Sequence, residues 1–269
     1  MAEEQTFAVL EAEAEDSRRW RLAVLFVVYI AALIAAWHYF IKAFEIRSYL
    51  LPNPADVGQV FTDRASLLAD GARITVFEAM VGFFLAVVIG VGLATIIVYS
   101  RTLRTILMPS LVALNAAPKV ALAPIMIIWL GLGLQSKIAM SFLLSFFPIT
   151  INTIRGLNDV EPALLEYFQL LKAGRFKTFR KARLPSSLPA MFDGFKISLP
   201  IAMIGAVIGE FVASREGIGH QIIIAYSTFD TEHVFAAVIT ISILSTILFQ
   251  LLVWTEHRLL SWRPPPQRA

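Results

Sequence analysis

Six long apolar stretches dominate this sequence and constrain its fold more than any other feature. They lie at about residues 22–41, 74–98, 106–131, 138–154, 192–213 and 234–257. A helix of about 20 mostly apolar residues crosses the hydrocarbon core of a bilayer. Hydrophobic residues make up 57% of the chain and charged residues only 16%, a composition too apolar for a soluble domain of this length. The sequence therefore predicts an all-α polytopic membrane protein with six transmembrane helices.

The third of these stretches is the least regular. It holds Pro109, Pro118 and Pro124, and proline inside a helix removes a backbone hydrogen-bond donor and crowds the preceding turn. This span is therefore expected to be less regular than the other five.

The basic residues predict the orientation of the chain. An even number of spans places both termini on one side, and most of the 23 Lys and Arg residues fall in segments on that side. Cytosolic loops of membrane proteins are enriched in Lys and Arg, so both termini are expected in the cytosol. Residues 1–17 hold six acidic residues and no basic one, which argues against a cleavable signal peptide.

The same reasoning divides the chain into domains. Residues 1–19 are interpreted as a cytosolic leader and residues 20–262 as the transmembrane domain. The long cytosolic segment at 156–191 belongs to that domain, and residues 263–269 form a Pro-rich cytosolic tail.

The sequence lacks the residues that several kinds of chemistry require. No cysteine is present, the four histidines are scattered, and no G-x-x-x-x-G-K-[ST] phosphate loop occurs. Any ATP hydrolysis must therefore come from another chain, and no cofactor is expected in this one. The net charge of +3 reflects membrane topology rather than binding to nucleic acid. Three classes remain open: the permease subunit of an ATP-driven importer, an ATP-independent secondary transporter or channel, and a membrane enzyme.

The long cytosolic segment combines an apolar stripe with a basic flank. Leu164, Phe168 and Leu171 follow at helical spacing, and Gly174 allows a turn between two short helices. Pro185 and Pro189 are expected to end this segment before the fifth span. An apolar stripe in the cytosol needs either a partner groove or the lipid surface to cover it.

The segment resembles the cytoplasmic signature of ABC-importer permeases. That pattern is Glu-Ala-Ala, three residues, Gly, nine residues, a hydrophobic residue, any residue and Leu-Pro. Anchored on Leu184 and Pro185, it places the signature Glu at Glu166. This sequence departs from the pattern at four positions. Tyr167 and Phe168 replace the Ala-Ala of the pattern, Lys172 replaces its Gly, and Ala182 stands at its hydrophobic position.

The resemblance extends well beyond this loop. The stretches similar to the nitrate/sulfonate/taurine permease group, which also contains thiamine-precursor permeases, are LPNP (51–54), APKVALAPIMIIWLGLG (117–133), SFFPITINTIRGL (145–157), ARLPSSLPAMFDGFKISL (182–199) and GEFVASREGIGHQI (209–222). Together they cover the chain from about residue 20 to 262. The chain is identified on these residues as a member of that group.

The resemblance implies a fold, a location and a set of partners. The fold is that of a type I ABC importer permease in the bacterial cytoplasmic membrane. Two permease chains, expected to be a homodimer, would form the pathway. Two ATPase subunits, which bind the ATP and Mg²⁺, and an extracytoplasmic solute-binding protein would complete the importer. The residues expected to couple to the ATPase are Leu164, Glu166, Phe168, Leu171, Lys172, Gly174, Arg175, Leu184 and Pro185.

Ionisable residues inside the spans are the candidates for the translocation pathway, because they are costly in lipid and usually face a cavity or a partner. Lys119 follows Pro118 in the third span, with Asn115 one turn earlier. These two side chains either line a cavity that favours an anionic or polar solute, or Lys119 pairs with an acid or reaches the membrane surface. Glu210 is a further pathway candidate. Glu78 and Glu210 could each gate the pathway, pair with a base or face water, and a structural pairing with a base is favoured for both.

The remaining expectations concern packing and the outer loops. Gly82, Gly90 and Gly92 are expected to allow close helix contacts. Residues 50–68 predict a short helix along the outer membrane interface. The segment 214–233 is interpreted as a re-entrant gate, a docking site for the binding protein or a simple connector.

Overall fold

The computed structural model describes residues 2–260, and it describes side-chain environments for residues 20–21, 24–212 and 214–260. The predicted tail at 263–269 lies outside the described residues. Within them the chain is built from helices and connecting turns, so the all-α prediction is confirmed. The helices are α1 (Ala2–Ala43), α2 (Pro54–Asp63), α3 (Ala65–Tyr99), α4 (Arg101–Ala116), α5 (Ala123–Leu130), α6 (Leu134–Asn158), α7 (Pro162–Leu170), α8 (Arg175–Thr178), α9 (Leu184–Ala213), α10 (Ile218–Ser227) and α11 (Thr231–Leu259).

Six membrane crossings follow from these helices. Five are long and apolar enough to span a bilayer: the Val24–Ala43 part of α1, and α3, α6, α9 and α11. The sixth is the pair of α4 and α5, which is bent by 89° at a short 3₁₀ turn, Lys119–Leu122. The predicted number of spans is confirmed when this bent pair counts as one. The break between the two helices falls at Ala117 and Pro118, and Pro118 is one of the three prolines that make this stretch irregular.

Helices α3, α6 and α9 form the centre of the molecule. Their contact is close because small residues face one another across it. A Cβ added to Gly82 on α3 would lie 2.5 Å from Cβ of Ser141 on α6. A Cβ added to Gly205 on α9 would lie 2.7 Å from Cα of the same serine. The close contacts expected at Gly82 and Gly90 are therefore present. The expectation for Gly92 is wrong, because that residue faces open space.

Two predicted boundaries are corrected by the structure. α6 begins at Leu134 rather than at residue 138, so Lys137 lies in the helix instead of an outer loop. Pro185 and Pro189 do not end the cytosolic segment before the span; they lie within α9, which begins at Leu184. Pro185 fits the first turn of a helix, where the missing N–H has no partner to lose.

The outer helix α2 packs on the protein. Asn53 caps its first turn by accepting a hydrogen bond from the N–H of Ala55 at 3.3 Å. Val57 and Val60 are buried in a cluster with residues of α3, α10 and α11. The predicted helix is present, but its apolar side faces the protein core rather than only the membrane interface.

Candidate functional site

The segment between α6 and α9, which the sequence predicts to be cytosolic, contains two short helices joined by a tight turn, as the position of Gly174 predicted. At the end of α7, the N–H of Lys172 donates to the carbonyl of Gln169 at 2.8 Å, and the N–H of Ala173 donates to that of Phe168 at 3.0 Å. This pair of bonds closes a helix C-terminus. Lys172 has a φ of 49°, in the left-handed region that favours glycine. The permease signature has Gly at this position, so the backbone fits the register assigned from the sequence.

The predicted coupling residues differ in exposure. Leu164 and Phe168 are half-buried, while Glu166 is exposed. Because α7 ends at Leu170, the predicted stripe does not continue along one helix to Leu171. We call the exposed apolar side chains of this segment the cytosolic patch: Tyr167 (56% exposed), Leu170 (82%), Leu171 (58%) and Phe176 (75%).

The polar members of the predicted set surround this patch. Lys172, Gly174 and Arg175 are exposed. Leu184 and Pro185 are half-buried where α9 begins. The segment therefore offers an apolar surface with a basic margin.

Lys119 lies at the bend between α4 and α5. Its Nζ donates to both the backbone oxygen and the side-chain Oδ1 of Asn115, each at 2.9 Å. It also lies 4.9 Å from the centre of the Phe147 ring, an arrangement that favours a cation. Lys119 is half-buried and Asn115 is exposed. Within the described residues Lys119 makes no ion pair, so its positive charge is held by neutral groups.

A buried ion pair joins the outer halves of α3 and α6. Nζ of Lys137 lies 2.7 Å from Oε1 of Glu78, and their side chains are 9% and 0% exposed. The expected pairing of Glu78 with a base is thus present. Its partner is a lysine that the sequence assigned to a loop.

Glu210 connects α9 to the start of α10. It accepts hydrogen bonds from the hydroxyl of Thr75 at 2.7 Å and from the N–H of Gly219 at 2.6 Å. The Thr75 hydroxyl in turn accepts from the N–H of Ile218 at 2.9 Å. A carboxylate at a helix N-terminus satisfies free backbone donors and complements the helix dipole. Glu210 is 1% exposed; these contacts support a structural role, and its place on the pathway stays a prediction.

Gly217 makes this arrangement possible. Its φ is 100°, and a Cβ there would lie 2.1 Å from Oε1 of Glu210. The glycine-rich stretch after the fifth span therefore lets the chain turn over a carboxylate. Of the three interpretations for residues 214–233, a satisfied connector describes the observed contacts.

A cavity of about 920 Å³ opens beside this network. Glu78, Lys137 and Gly217 contribute to its wall, together with the exposed basic residues Arg73 and Arg215. It is bounded by the outer ends of α3 and α6 and by the turn before α10. The wall of this cavity therefore carries charges of both signs.

One further ion pair ties the outer elements together outside the spans. Arg64, between α2 and α3, pairs with Asp230, just before α11. Partial burial of Asp230 opposes its ionisation, but the hydrogen bond and charge of Arg64 outweigh it and hold the pKa of Asp230 below its ordinary value.

Comparison with known proteins decides the class of this molecule. Residues 82–261 match the family described as binding-protein-dependent transport system inner membrane component. This chain belongs to that family. The permease is thus a transport subunit, a multi-pass inner-membrane component that works with a solute-binding protein and ATPase subunits. Membership favours the ATP-driven importer over the secondary transporter, the channel and the membrane enzyme.

The curated relatives of this permease transport different solutes. It is 35% identical over 237 residues to the riboflavin transport system permease protein RibX of Chloroflexus aurantiacus, covering 87% of this chain and 88% of the relative. It is 34% identical over 216 residues to the formylaminopyrimidine transport permease protein ThiX of Halalkalibacterium halodurans, covering 80% and 86%. It is 30% identical over 235 residues to the putative aliphatic sulfonates transport permease protein SsuC of Bacillus subtilis, covering 87% and 85%.

Solved structures confirm the fold of this permease. A chain of the MetNI methionine ABC transporter in inward-facing conformations aligns with a TM-score of 0.61 at 20% identity, covering 73% of this chain and 95% of that one. A chain of an amino acid ABC transporter with histidines aligns with a TM-score of 0.58 at 18% identity, covering 74% and 97%. The architecture is that of an ABC importer permease.

Several charged residues with structural contacts were not singled out by the sequence, among them Lys137 and Arg183. Lys137 was placed in an outer loop, and Arg183 was counted only as one of the basic residues of the cytosolic segment. The departure of Lys137 from the apolar pattern at the start of α6 was the available signal. Its partner Glu78 is 59 positions away, so the pairing itself could not be read locally.

Proposed function

We propose that this permease is coupled to its ATPase through residues 162–185, with both termini in the cytosol and ATP and Mg²⁺ bound by the partner subunits. A second copy of the chain completes the pathway. The observation that carries the proposal is the cytosolic patch, which presents apolar side chains beside the left-handed turn at Lys172. The solute is a small anionic or polar molecule.

The exposure of the patch supports docking to a protein. Leu170 and Phe176 project apolar surface into the cytosol at 82% and 75% exposure. Burying such side chains in a groove is worth roughly 1.5–3 kcal/mol each. The neighbouring basic side chains that are exposed are Lys172, Arg175, Lys177, Arg180 and Lys181. This charge pattern favours an ATPase cleft with an acidic margin.

The docking proposal makes a direct prediction about assembly. Replacing Leu170 and Phe176 together with serine should lower the amount of ATPase that co-purifies with the permease in mild detergent by about tenfold or more, because interface anchors commonly carry 1–2 kcal/mol each. Tyr226→Ser with Phe229→Ser is the matched control, since these side chains are 73% and 74% exposed in and after α10. Equal loss in both double variants, or no loss in the first, would contradict docking through this patch.

The solute proposal is based on Lys119 and Asn115. Their charge and amide lie at the only bend among the described spans, where the backbone of the third span is interrupted. A cation held by neutral groups keeps its attraction for an anionic group of a solute. The relatives named for riboflavin, a pyrimidine and aliphatic sulfonates show that the family accepts both anionic and heterocyclic solutes.

Substitution of Lys119 tests the solute proposal. In cells that produce the complete transporter, Lys119→Met should lower uptake of an anionic solute by about tenfold or more, whereas Lys119→Arg should retain most of it, because the charge is kept. Radiolabelled taurine, an alkanesulfonate and riboflavin are the probes. Lys42→Met, at an exposed lysine in the last turn of α1, is the control. Normal assembly with unaltered uptake of a transported sulfonate by Lys119→Met would refute a pathway role.

A further inference from the structure

Arg183 joins three elements at the cytosolic end of the molecule. It lies at the end of a π-helical turn, Phe179–Arg183, which leads from α8 into α9. Its Nη1 donates to the backbone oxygen of Leu157 in the last turn of α6 at 2.8 Å. Its guanidinium carbon lies 5.7 Å from the ring centre of Tyr99, the last residue of α3. One side chain thus contacts the ends of α3 and α6 from the start of α9.

The contact with α6 has a clear physical basis. The last four carbonyls of a helix lack partners within it, and α6 ends at Asn158. Arg183 supplies a donor to one of these carbonyls and a positive charge at the negative end of the helix dipole. Leu157 is 1% exposed, so its carbonyl would be poorly served by water.

The ends of α6 and α9 are also in direct van der Waals contact. A Cβ added to Gly156 would lie 2.9 Å from the backbone oxygen of Ser187. Ala182, beside Arg183, is 1% exposed. Close-packed surfaces of this kind move together rather than deform. α6 therefore has a second connection to α9 that does not depend on Arg183.

α3 is connected to the same region through aromatic contacts. The ring of Tyr99 lies 6.0 Å from that of Phe179 at an interplanar angle of 69°, an edge-on arrangement. Arg183 covers the same ring. The end of α3 is thus held to the π-helical turn by a ring and a cation, without an ion pair among the described residues.

We propose that Arg183 is a positioning residue that makes α3 follow the cytosolic segment when the ATPase moves it. The inference rests on the proposed coupling role of residues 162–185. Movement of the docked segment reaches α9 through the covalent chain, α6 through packing, and the body of α3 through the contact of Ala94 and Ile97 with α6. It reaches Tyr99, the last residue of α3, directly through Arg183 and Phe179. Loss of Arg183 would leave docking intact and let the last turn of α3 lag behind.

The absence of cysteine from the natural sequence allows a clean measurement of this movement. Ile96→Cys on α3 and Ser186→Cys in the first turn of α9, directly after the π-helical turn, are both exposed positions for spin labels. Labelled chains are diluted with unlabelled chains, so that each transporter carries at most one labelled copy. The distance between the two labels is measured in the complete transporter by pulsed electron resonance, without nucleotide and with Mg-ATP and vanadate as the probe.

With Arg183 present, the distance between the labels should stay constant when the probe is added, because α3 follows the segment. With Arg183→Gln, the probe should change this distance by about 2–5 Å, the scale of helix shifts in switching proteins. Tyr99→Leu should behave like Arg183→Gln, whereas Tyr99→Phe should behave like the natural chain because the ring is kept. This matched pair at position 99 tests the inference even if the arginine variant assembles poorly.

Each outcome decides the inference. A constant distance in both Arg183→Gln and Tyr99→Leu would overturn it, and so would a change in the natural chain. Loss of the ATPase from Arg183→Gln to the extent seen for the cytosolic-patch variants would make Arg183 a docking residue and also overturn it. If no ATPase co-purifies with the natural chain, the proposed function fails first, and that result is distinct from the others.

Discussion

Replacing Lys137 with methionine is expected to lower the free energy of unfolding by roughly 3–5 kcal/mol, the cost of leaving a buried charge without its partner. Glu78 is 0% exposed and lies 2.7 Å from Nζ of Lys137. Removal of the lysine would leave this buried carboxylate without the cation that compensates its charge. The measurement is reversible unfolding of the purified permease in mixed micelles, followed by the loss of helical signal.

A second variant separates the two possible causes of this loss of stability, an unpaired buried charge and a packing defect. The double variant Lys137→Met with Glu78→Gln removes both charges and should recover most of the lost stability, since replacing a buried pair by neutral groups is often nearly neutral. Lys42→Met, at an exposed position, should change stability by no more than about 0.5 kcal/mol. If the single and double variants are equally unstable, the ion pair is not the cause.

The second large effect is expected at Gly205. Its Cβ would lie 2.7 Å from Cα of Ser141 and 2.9 Å from the backbone oxygen of Met140. These are backbone atoms of α6, which cannot rotate away, so Gly205→Ala must push α9 from α6. Overpacking of this kind costs about 1–3 kcal/mol, in spite of the higher helix propensity of alanine.

Gly92 provides the matched control on α3. It is also a glycine inside a long helix, but nothing lies within 4 Å of the position of its Cβ. Gly92→Ala should therefore be neutral or stabilise the permease by up to about 1 kcal/mol. The two alanine variants are compared by thermal unfolding in the same detergent. The same sign of change in both would show that close helix contact does not explain the glycine at position 205.

In the cytosolic segment the sequence resemblance predicted the backbone better than it predicted the exposed surface. The register of the signature placed Lys172 at a glycine position although the residue did not match. The structure finds a left-handed backbone there, with φ of 49°. The exposed surface was harder to predict, because Leu164 and Phe168 are half-buried and Leu170 and Phe176 are not. Helical spacing identifies a face, but the neighbouring elements decide which part of it remains open.

The sequence by itself determined the class and the six apolar stretches, and it marked the third as the least regular. These depend on the length of apolar runs and on proline, which are local properties of the chain. The family followed from several short stretches taken together. The close contacts at Gly82 and Gly90 were also predictable, because small residues in spans commonly mark helix interfaces.

Only the tertiary structure decided the partners of the charged residues. Lys137 pairs with Glu78, which is 59 positions away in the sequence, and Arg183 donates to the backbone oxygen of Leu157, which is 26 positions away. Glu210 accepts a hydrogen bond from the hydroxyl of Thr75, 135 positions away. A charged side chain is tolerated inside a membrane protein when another helix places a compensating charge or hydrogen-bond partner within about 3 Å of it. That distance is set by the packing of α3, α6 and α9, and no local pattern in the sequence specifies it.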